Sequence, residues 1–198
     1  MKWKIAIAVL ILLLIVARLN DYIYGLWVFY KIGKNITVNI KDDTEKARAA
    51  AYWVFDNIKG VERYAYFKNI DDNFMNVYRR RMGSCDQSAW VYVVMTNLLG
   101  LNSRVLYLVD DSGGSPHTVA SVKIKDNEYI VDTLIHYMFD LSDQKAFKEY
   151  QNLFKEYCIR YYGNTTSGCC EPQISWFKNG VYSDTFKEKI VKRLLRKN

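Results

Sequence analysis

Two stretches of the chain place apolar residues at helical spacing ahead of a strand-like region. Residues 47–58 show this spacing after a capping-box sequence at 42–45, which predicts a helix ending before Gly60. Residues 85–99 show it again and stop at Gly100, a residue type that commonly closes a helix. We therefore expect two helices that bury apolar faces in a core.

Short β-type runs follow these helices, and another helical stripe follows the strands. The β-type runs are residues 104–109, 118–124 and 128–132, and a two-residue turn is expected at Asp126-Asn127. From 142 to 162 aromatic residues recur at helical spacing, which is more typical of a core or interface face than of a ligand site. Helices on both sides of a central run of strands indicate an α+β fold with a small antiparallel sheet and extra C-terminal helices.

The N-terminus is apolar without interruption from residue 5 to residue 17. Lys2 and Lys4 precede this run and Arg18 follows it, which predicts an uncleaved signal anchor with a cytoplasmic N-terminus. A cleaved signal peptide is the alternative. In either case the domain faces the periplasm or the extracellular side, and it is secreted if the segment is removed.

These patterns divide the chain into three parts. Residues 1–20 are the anchor or signal peptide, 21–41 a juxtamembrane segment, and 42–198 one domain with a C-terminal helical extension. The aromatic residues 21–36 either lie along the membrane interface or pack onto the domain, and packing is favoured.

The net charge of +7 comes mainly from the last twelve residues. Residues 187–198 carry six Lys/Arg and one Glu, and they form a basic amphipathic pattern. Such a helix suits contact with anionic lipid or a cell-wall polymer, and an extracytoplasmic location argues against nucleic acid as a partner. The arginines at 79–81 are interpreted as a solvated basic turn, with steering of an anionic substrate as the alternative.

The residues that point to chemistry begin at Cys85. Ser84 and Gln87 fit a second capping box, which makes Cys85 the first helical residue. The helix dipole and the unpaired N–H groups of a first turn lower the pKa of a thiol. His117 lies at a loop exit and Asp132 at a strand end, so a nucleophile, a base and an orienting carboxylate follow one another along the chain.

The predicted hairpin leaves the distance between His117 and Asp132 open. A turn at Asp126-Asn127 pairs Asp132 with Ser121, on the same sheet face as His117 but about 13 Å from it. A bulge or an earlier turn is therefore required. His136, the other histidine, is an alternative base in a different register, although a structural role is favoured.

In their order and spacing these features resemble the papain-like core of the transglutaminase-like superfamily. The similarity covers roughly residues 44–134 and is carried by the helix before the cysteine, the helix after it, and Gly83, Cys85, Arg104-Val105, His117 and Asp132. The resemblance implies a nucleophile at a helix N-terminus packed against an antiparallel sheet. It also implies a catalytic triad of Cys85, His117 and Asp132, with a further side-chain donor for the oxyanion upstream of the cysteine, for which Tyr64, Tyr66 and Trp53 are candidates.

The implied reaction is acyl transfer through a Cys85 thioester. We favour a membrane-anchored peptidase or amidase acting on a peptide or protein, because no motif indicates that water is excluded from the thioester. The alternatives are a protein-crosslinking acyltransferase and a catalytically silent binding or scaffold domain at the cell envelope. The expected site contains no cofactor.

The other cysteines are Cys158, Cys169 and Cys170. In an oxidising compartment a disulfide from Cys158 to either Cys169 or Cys170 is one option, and it leaves one thiol over. Their spacing does not match a zinc site, so no metal is expected.

Overall fold

The computed structural model describes residues 22–60, 74–115, 117–162 and 171–183, together with Trp3 and Ile7. Within these ranges, no helix has the length and apolar character needed to cross a membrane. The predicted anchor at 1–20, apart from Trp3 and Ile7, and the basic tail at 187–198 lie outside the described residues.

The described elements form a mainly helical N-terminal part, then a run of strands, and then two further helices and a short strand. In chain order they are α1 (22–36), α2 (Asp43–Asn57), β1 (Lys59–Gly60), α3 (Phe74–Arg80), β2 (Met82–Gly83), α4 (Cys85–Leu98), β3 (Asn102–Tyr107), β4 (Thr118–Ile124), β5 (Asn127–Asp132), β6 (Tyr137–Asp140), α5 (Gln144–Tyr162), α6 (Ile174–Lys178) and β7 (Val181–Tyr182). The helices predicted at 47–58, 85–99 and 142–162 are confirmed as α2, α4 and α5.

A five-stranded antiparallel sheet in the order β6-β5-β4-β3-β7 forms the middle layer. Its side chains alternate between two cores because successive strand residues point to opposite faces. One face packs with α2 and α4, through residues such as Val105 and Ala120, to form the first core. The other packs with α5 and α6, through residues such as Leu106 and Val119, to form the second core. The predicted α+β fold with an antiparallel sheet is confirmed.

Helix α1 packs onto this domain along one of its faces. Phe29 is fully buried and its ring contacts Trp53, Phe74 and Tyr78 edge to face, at centroid separations of 5.4 to 6.0 Å. The opposite face of α1 exposes aromatic side chains, with Trp27 55% exposed. The favoured packing onto the domain is therefore observed for one face of residues 22–36, and the other face is exposed.

The turn between β4 and β5 lies one residue earlier than the sequence predicted. Ile124 pairs with Asn127, so Lys125 and Asp126 form the turn, and Lys125 takes a left-handed φ of 55°. The turn predicted at Asp126-Asn127 is wrong because Asn127 is the first residue of β5 instead. Continuing this register sets Asp132 opposite Val119 rather than opposite Ser121.

Candidate active site

Cys85 is the first residue of α4, as the capping pattern predicted. The capping box is confirmed, and the Gln87 side-chain oxygen accepts a hydrogen bond from the Ser84 backbone N–H at 3.1 Å. The Ser84 hydroxyl also donates to the Asp86 carboxylate. Cys85 is half-buried and lies in the first turn, where backbone N–H groups have no partner within the helix.

Arg80 fixes the chain immediately before Cys85. Its Nε donates to the Met82 carbonyl at 2.7 Å and its Nη2 to the Gln87 side-chain oxygen at 2.5 Å. The interpretation of residues 79–81 as a solvated turn is therefore wrong for Arg80, which is half-buried. Its guanidinium presents several donors in a fixed plane and binds two acceptors on either side of Cys85 in the chain.

His117 and Asp132 form a buried pair. The His117 Nε2 and Asp132 Oδ2 atoms are 2.6 Å apart, and the two residues are only 5% and 1% exposed. In the observed register Asp132 lies opposite Val119, two residues from His117 on the same face, which is a diagonal pair within reach of long side chains. The turn at Lys125 and Asp126 is therefore the earlier turn that the sequence required to bring Asp132 next to His117. A carboxylate only accepts hydrogen bonds, so the Nε2 atom carries the proton.

Asp132 accepts two further hydrogen bonds. The Tyr150 hydroxyl donates to the same Oδ2 atom at 3.1 Å, and the Leu134 backbone N–H donates to Oδ1 at 3.0 Å. Tyr150 is fully buried, and burial together with the Asp132 charge raises the pKa of its hydroxyl well above the usual range. Three donors therefore hold this carboxylate in one orientation.

Cys85 contacts the other side of the His117 ring. The imidazole lies close enough to the Cys85 thiol to stabilise its charged form, and the Thr118 backbone N–H adds to this effect. Because Nε2 faces Asp132, Nδ1 is the ring nitrogen left for the thiol. The structure thus brings Cys85, His117 and Asp132 together in the order of a nucleophile, a base and an orienting group.

The charges in this group favour an ion pair. Burial raises the pKa of the Cys85 thiol, but the hydrogen bond and charge of His117 outweigh burial and lower that pKa. Burial lowers the pKa of His117, but Asp132 and Cys85 outweigh it and raise that pKa. Both shifts favour a thiolate next to an imidazolium, which is the reactive form of a catalytic cysteine.

Helix α5 covers the side of the triad that faces away from α4. The Phe154 ring lies against the His117 ring with centroids 4.7 Å apart, one helical turn from Tyr150. The aromatic stripe of residues 142–162 was predicted as core, and it does pack in the second core. Sequence analysis missed that two of its residues also contact the triad, since the Tyr150 hydroxyl finds its partner 18 positions upstream.

His136, the alternative base, packs on helix α2. Its ring packs against the rings of Tyr52 and Phe55 on α2, at centroid distances of 3.7 and 4.9 Å. Burial lowers the pKa of its imidazole. The favoured structural role of His136 is confirmed.

The remaining candidate residues lie in a core or outside the described residues. The Trp53 ring lies between Phe29 and Tyr78 in the first core, while Tyr64 and Tyr66 are outside the described residues. Cys158 is buried in the second core, and both of its possible disulfide partners, at 169 and 170, also lie outside them. In the described parts of the chain, no three His, Cys, Asp or Glu side chains are arranged so that they could hold a metal ion.

Two solved structures resemble this fold at low identity. A candidate cysteine protease from Cytophaga hutchinsonii matches with a TM-score of 0.45 and 17% identity, over 55% of this chain and 37% of its own. A candidate protease from Parabacteroides distasonis matches with a TM-score of 0.42 and 14% identity, over 53% of this chain and 23% of its own. The protein thus spans well under half the length of either chain. No curated protein matches its sequence.

A family match covers the site itself. The core profile of the transglutaminase-like superfamily matches residues 30–132, just over half of the 198 residues. This range begins in α1, contains Cys85 and His117, and ends at Asp132. The chain belongs to the transglutaminase-like superfamily.

Proposed function

We propose that this protein is a cysteine hydrolase that cleaves an amide bond in a peptide or protein. The observation that carries the proposal is the geometry at His117, which hydrogen-bonds Asp132 through Nε2 and contacts the helix-start thiol of Cys85 with its other side. This is the arrangement of an activated nucleophile with a base held by a third group.

The reaction starts from the ion pair. The Cys85 thiolate attacks the carbonyl carbon of the substrate, and the oxygen that becomes negative is stabilised by backbone N–H groups at the start of α4. When the C–N bond breaks, the imidazolium of His117 gives its proton to the departing amine. An acyl thioester on Cys85 and a neutral His117 remain.

Hydrolysis of the thioester restores the enzyme. His117 removes a proton from water, the hydroxide attacks the thioester carbonyl, and the C–S bond breaks to release a carboxylic acid and the Cys85 thiolate. Throughout these steps Asp132 keeps the Nε2 proton and the ring orientation. Tyr150 and Leu134 hold Asp132, so they act on the reaction through positioning.

The proposed cellular setting is the outer side of a membrane. An uncharged run at residues 5–17 follows two lysines, which supports a signal anchor with the domain on the extracytoplasmic side. A peptide or protein of the cell envelope is the substrate class that fits this setting.

Iodoacetamide labelling of Cys85 in the full chain, measured against pH, tests the ion pair. We expect labelling to begin at a pH below that of an ordinary thiol, because the pKa of Cys85 is lowered. His117→Ala removes the main group that opposes the effect of burial on this pKa, so the labelling midpoint moves to higher pH. Mass spectrometry assigns the labelled cysteine, and Cys158→Ala is the matched control that should leave the profile unchanged.

Turnover separates the hydrolase from its two alternatives. Peptide amides are incubated with the protein, with and without a primary amine, and Cys85→Ala serves as the inactive control. Release of acid supports the proposal, and incorporation of the amine in place of acid indicates a crosslinking acyltransferase. A Cys85 that labels only in the ordinary thiol range, without a response to His117→Ala, would contradict catalysis and favour a silent binding domain.

A further inference from the structure

One face of α1 exposes apolar and basic side chains together. Its exposed residues include Ile23, Tyr24, Trp27 and Tyr30, at 40% to 60% exposure, and Lys31 and Lys34. We call these six residues the aromatic–lysine face. The helices of a globular domain normally turn charged and polar residues to solvent, so exposed aromatic rings over nearly two turns indicate a contact surface.

The side chains of this face contact one another. The rings of Tyr24 and Trp27 stack with centroids 6.0 Å apart, and the ammonium groups of Lys31 and Lys34 lie 5.8 and 5.7 Å from the rings of Trp27 and Tyr30. No exposed residue of the described part of α1 is acidic. The face therefore combines aromatic rings with positive charge and no carboxylate.

The core-facing side of the same helix fixes its orientation. Phe29 is fully buried, and a Cβ on Gly33 would lie 3.1 Å from the Leu99 side chain at the end of α4. Because these contacts anchor α1 to the domain, the aromatic–lysine face cannot turn inward without breaking the first core. It is presented outward by a fixed scaffold.

We propose that the aromatic–lysine face lies on an anionic lipid bilayer and holds the domain against the membrane. Tryptophan and tyrosine prefer the headgroup region, and lysine is attracted to anionic lipid. The inference rests on the anchor in the proposed function, since only four residues separate the apolar run 5–17 from the start of α1 at residue 22. Even a fully extended chain keeps α1 within about 18 Å of the end of that run.

The length of the face determines how α1 must lie. From Ile23 to Lys34 the helix rises about 16 Å, whereas the headgroup region on one side of a bilayer is only about 5–8 Å thick. An upright helix would place only its first turn among headgroups. Contact by Trp27 and Tyr30 together requires α1 to lie along the surface.

Tryptophan quenching by brominated lipid tests this placement. The full chain is reconstituted into vesicles of phosphatidylcholine and phosphatidylglycerol whose acyl chains carry bromine near the headgroup. Its five tryptophans are Trp3, Trp27, Trp53, Trp90 and Trp176. We assume that all tryptophans emit equally and that Trp3 and Trp27 lie at the membrane. The quenched fraction of tryptophan fluorescence is then two in five for the unchanged protein and one in four for Trp27→Phe. In the matched control Trp53→Phe, which removes a core ring, it rises to two in four.

Further outcomes separate this inference from the rest of the proposal. Loss of Trp27 quenching in a Lys31→Ser/Lys34→Ser variant, or in vesicles without phosphatidylglycerol, supports attraction to anionic lipid. A quenched share that stays unchanged or rises in Trp27→Phe overturns the inference, as does a dimer in detergent that protects this face. Cys85 labelling measured on the same vesicles reports on catalysis independently, and release of the chain by an alkaline wash would show that the anchor has failed.

Discussion

Helices α4 and α5 reach the same three residues from opposite faces of one sheet, and they do so in different ways. Helix α4 is buried on all sides from Ser88 to Thr96 and supplies Cys85 from its end. Helix α5 is amphipathic, buries one aromatic stripe and supplies Tyr150 and Phe154 from its side. One helix provides Cys85, and the other contacts His117 and Asp132.

This difference suggests a division between the α4 side, which places the Cys85 thiol, and the α5 side, which aligns the His117 ring. On the α4 side the capping box, within four residues of chain, places Cys85 at the helix start, and His117 lowers the pKa of its thiol. The alignment of His117 depends on Asp132, whose partners come from a neighbouring strand, a turn and α5. If the division is correct, substitutions on the two sides should affect different measurements, and three substitutions test it.

The largest effect is expected for Asp132→Asn, because Asp132 bonds both His117, which interacts with Cys85 on α4, and Tyr150 on α5. An aspartate accepts from His117, Tyr150 and the Leu134 N–H at once, whereas an asparagine turns its NH₂ group toward at least one of these donors. We expect kcat to fall by about 10²–10⁴-fold, the usual contribution of a positioned acid–base group. Steady-state hydrolysis measures this loss, and near-normal turnover would show that the carboxylate does not orient His117.

An intermediate effect is expected for Tyr150→Phe. The ring and its packing stay, but one hydrogen bond to a buried carboxylate is lost, an interaction typically worth about 1.5–3 kcal/mol. We expect kcat to fall by about tenfold with KM unchanged, because the tyrosine positions Asp132 and does not touch substrate. Tyr137→Phe is the matched control, since its ring stacks on Tyr150 at 6.3 Å and its hydroxyl interacts with Glu149 instead.

Equal losses in Tyr150→Phe and Tyr137→Phe would assign the effect to packing of the second core. A loss confined to Tyr150→Phe would show that the α5 side acts on alignment through one hydroxyl. Thermal unfolding of both variants, measured alongside turnover, separates a drop in stability from a drop in kcat.

The smallest effect is expected for Gln87→Ala, on the α4 side. This change leaves the Ser84 N–H and one Arg80 nitrogen without their acceptor, which should lower the free energy of unfolding by about 1–2 kcal/mol. Chemical denaturation measures this loss. Labelling of Cys85 should become slower by a small factor while the reactive cysteine remains, whereas full loss of labelling would mean that the capping box creates the reactivity.

Local sequence was enough to predict the α4 side. Ser84, Cys85 and Gln87 lie within one turn, so their arrangement follows from helix geometry alone, and the family motif added His117 and Asp132. The α+β fold followed in the same way from the change between helical and strand-like spacing.

The α5 side could not be predicted from local sequence. Tyr150 belongs to an aromatic stripe with the ordinary spacing of a core face, and its hydroxyl finds Asp132 only once α5 packs on the sheet. Arg80 was misread because its acceptors on Met82 and Gln87 depend on the path of the chain into α4. Both residues act through contacts that a pattern of apolar and polar positions does not record.

The two-residue turn at Lys125 and Asp126 makes this protein sensitive to the loss of a single residue. Adding residues there lengthens an exposed loop at little cost and can leave the ladder unchanged. Removing Asp126 leaves Lys125 and Asn127 as the turn, which pairs Ile124 with Glu128 and sets Asp132 opposite Ala120. Because side chains alternate between faces, the carboxylate would then point to the α4 side of the sheet, away from His117. Length variation among functional relatives at this turn should therefore consist of insertions and not of deletions.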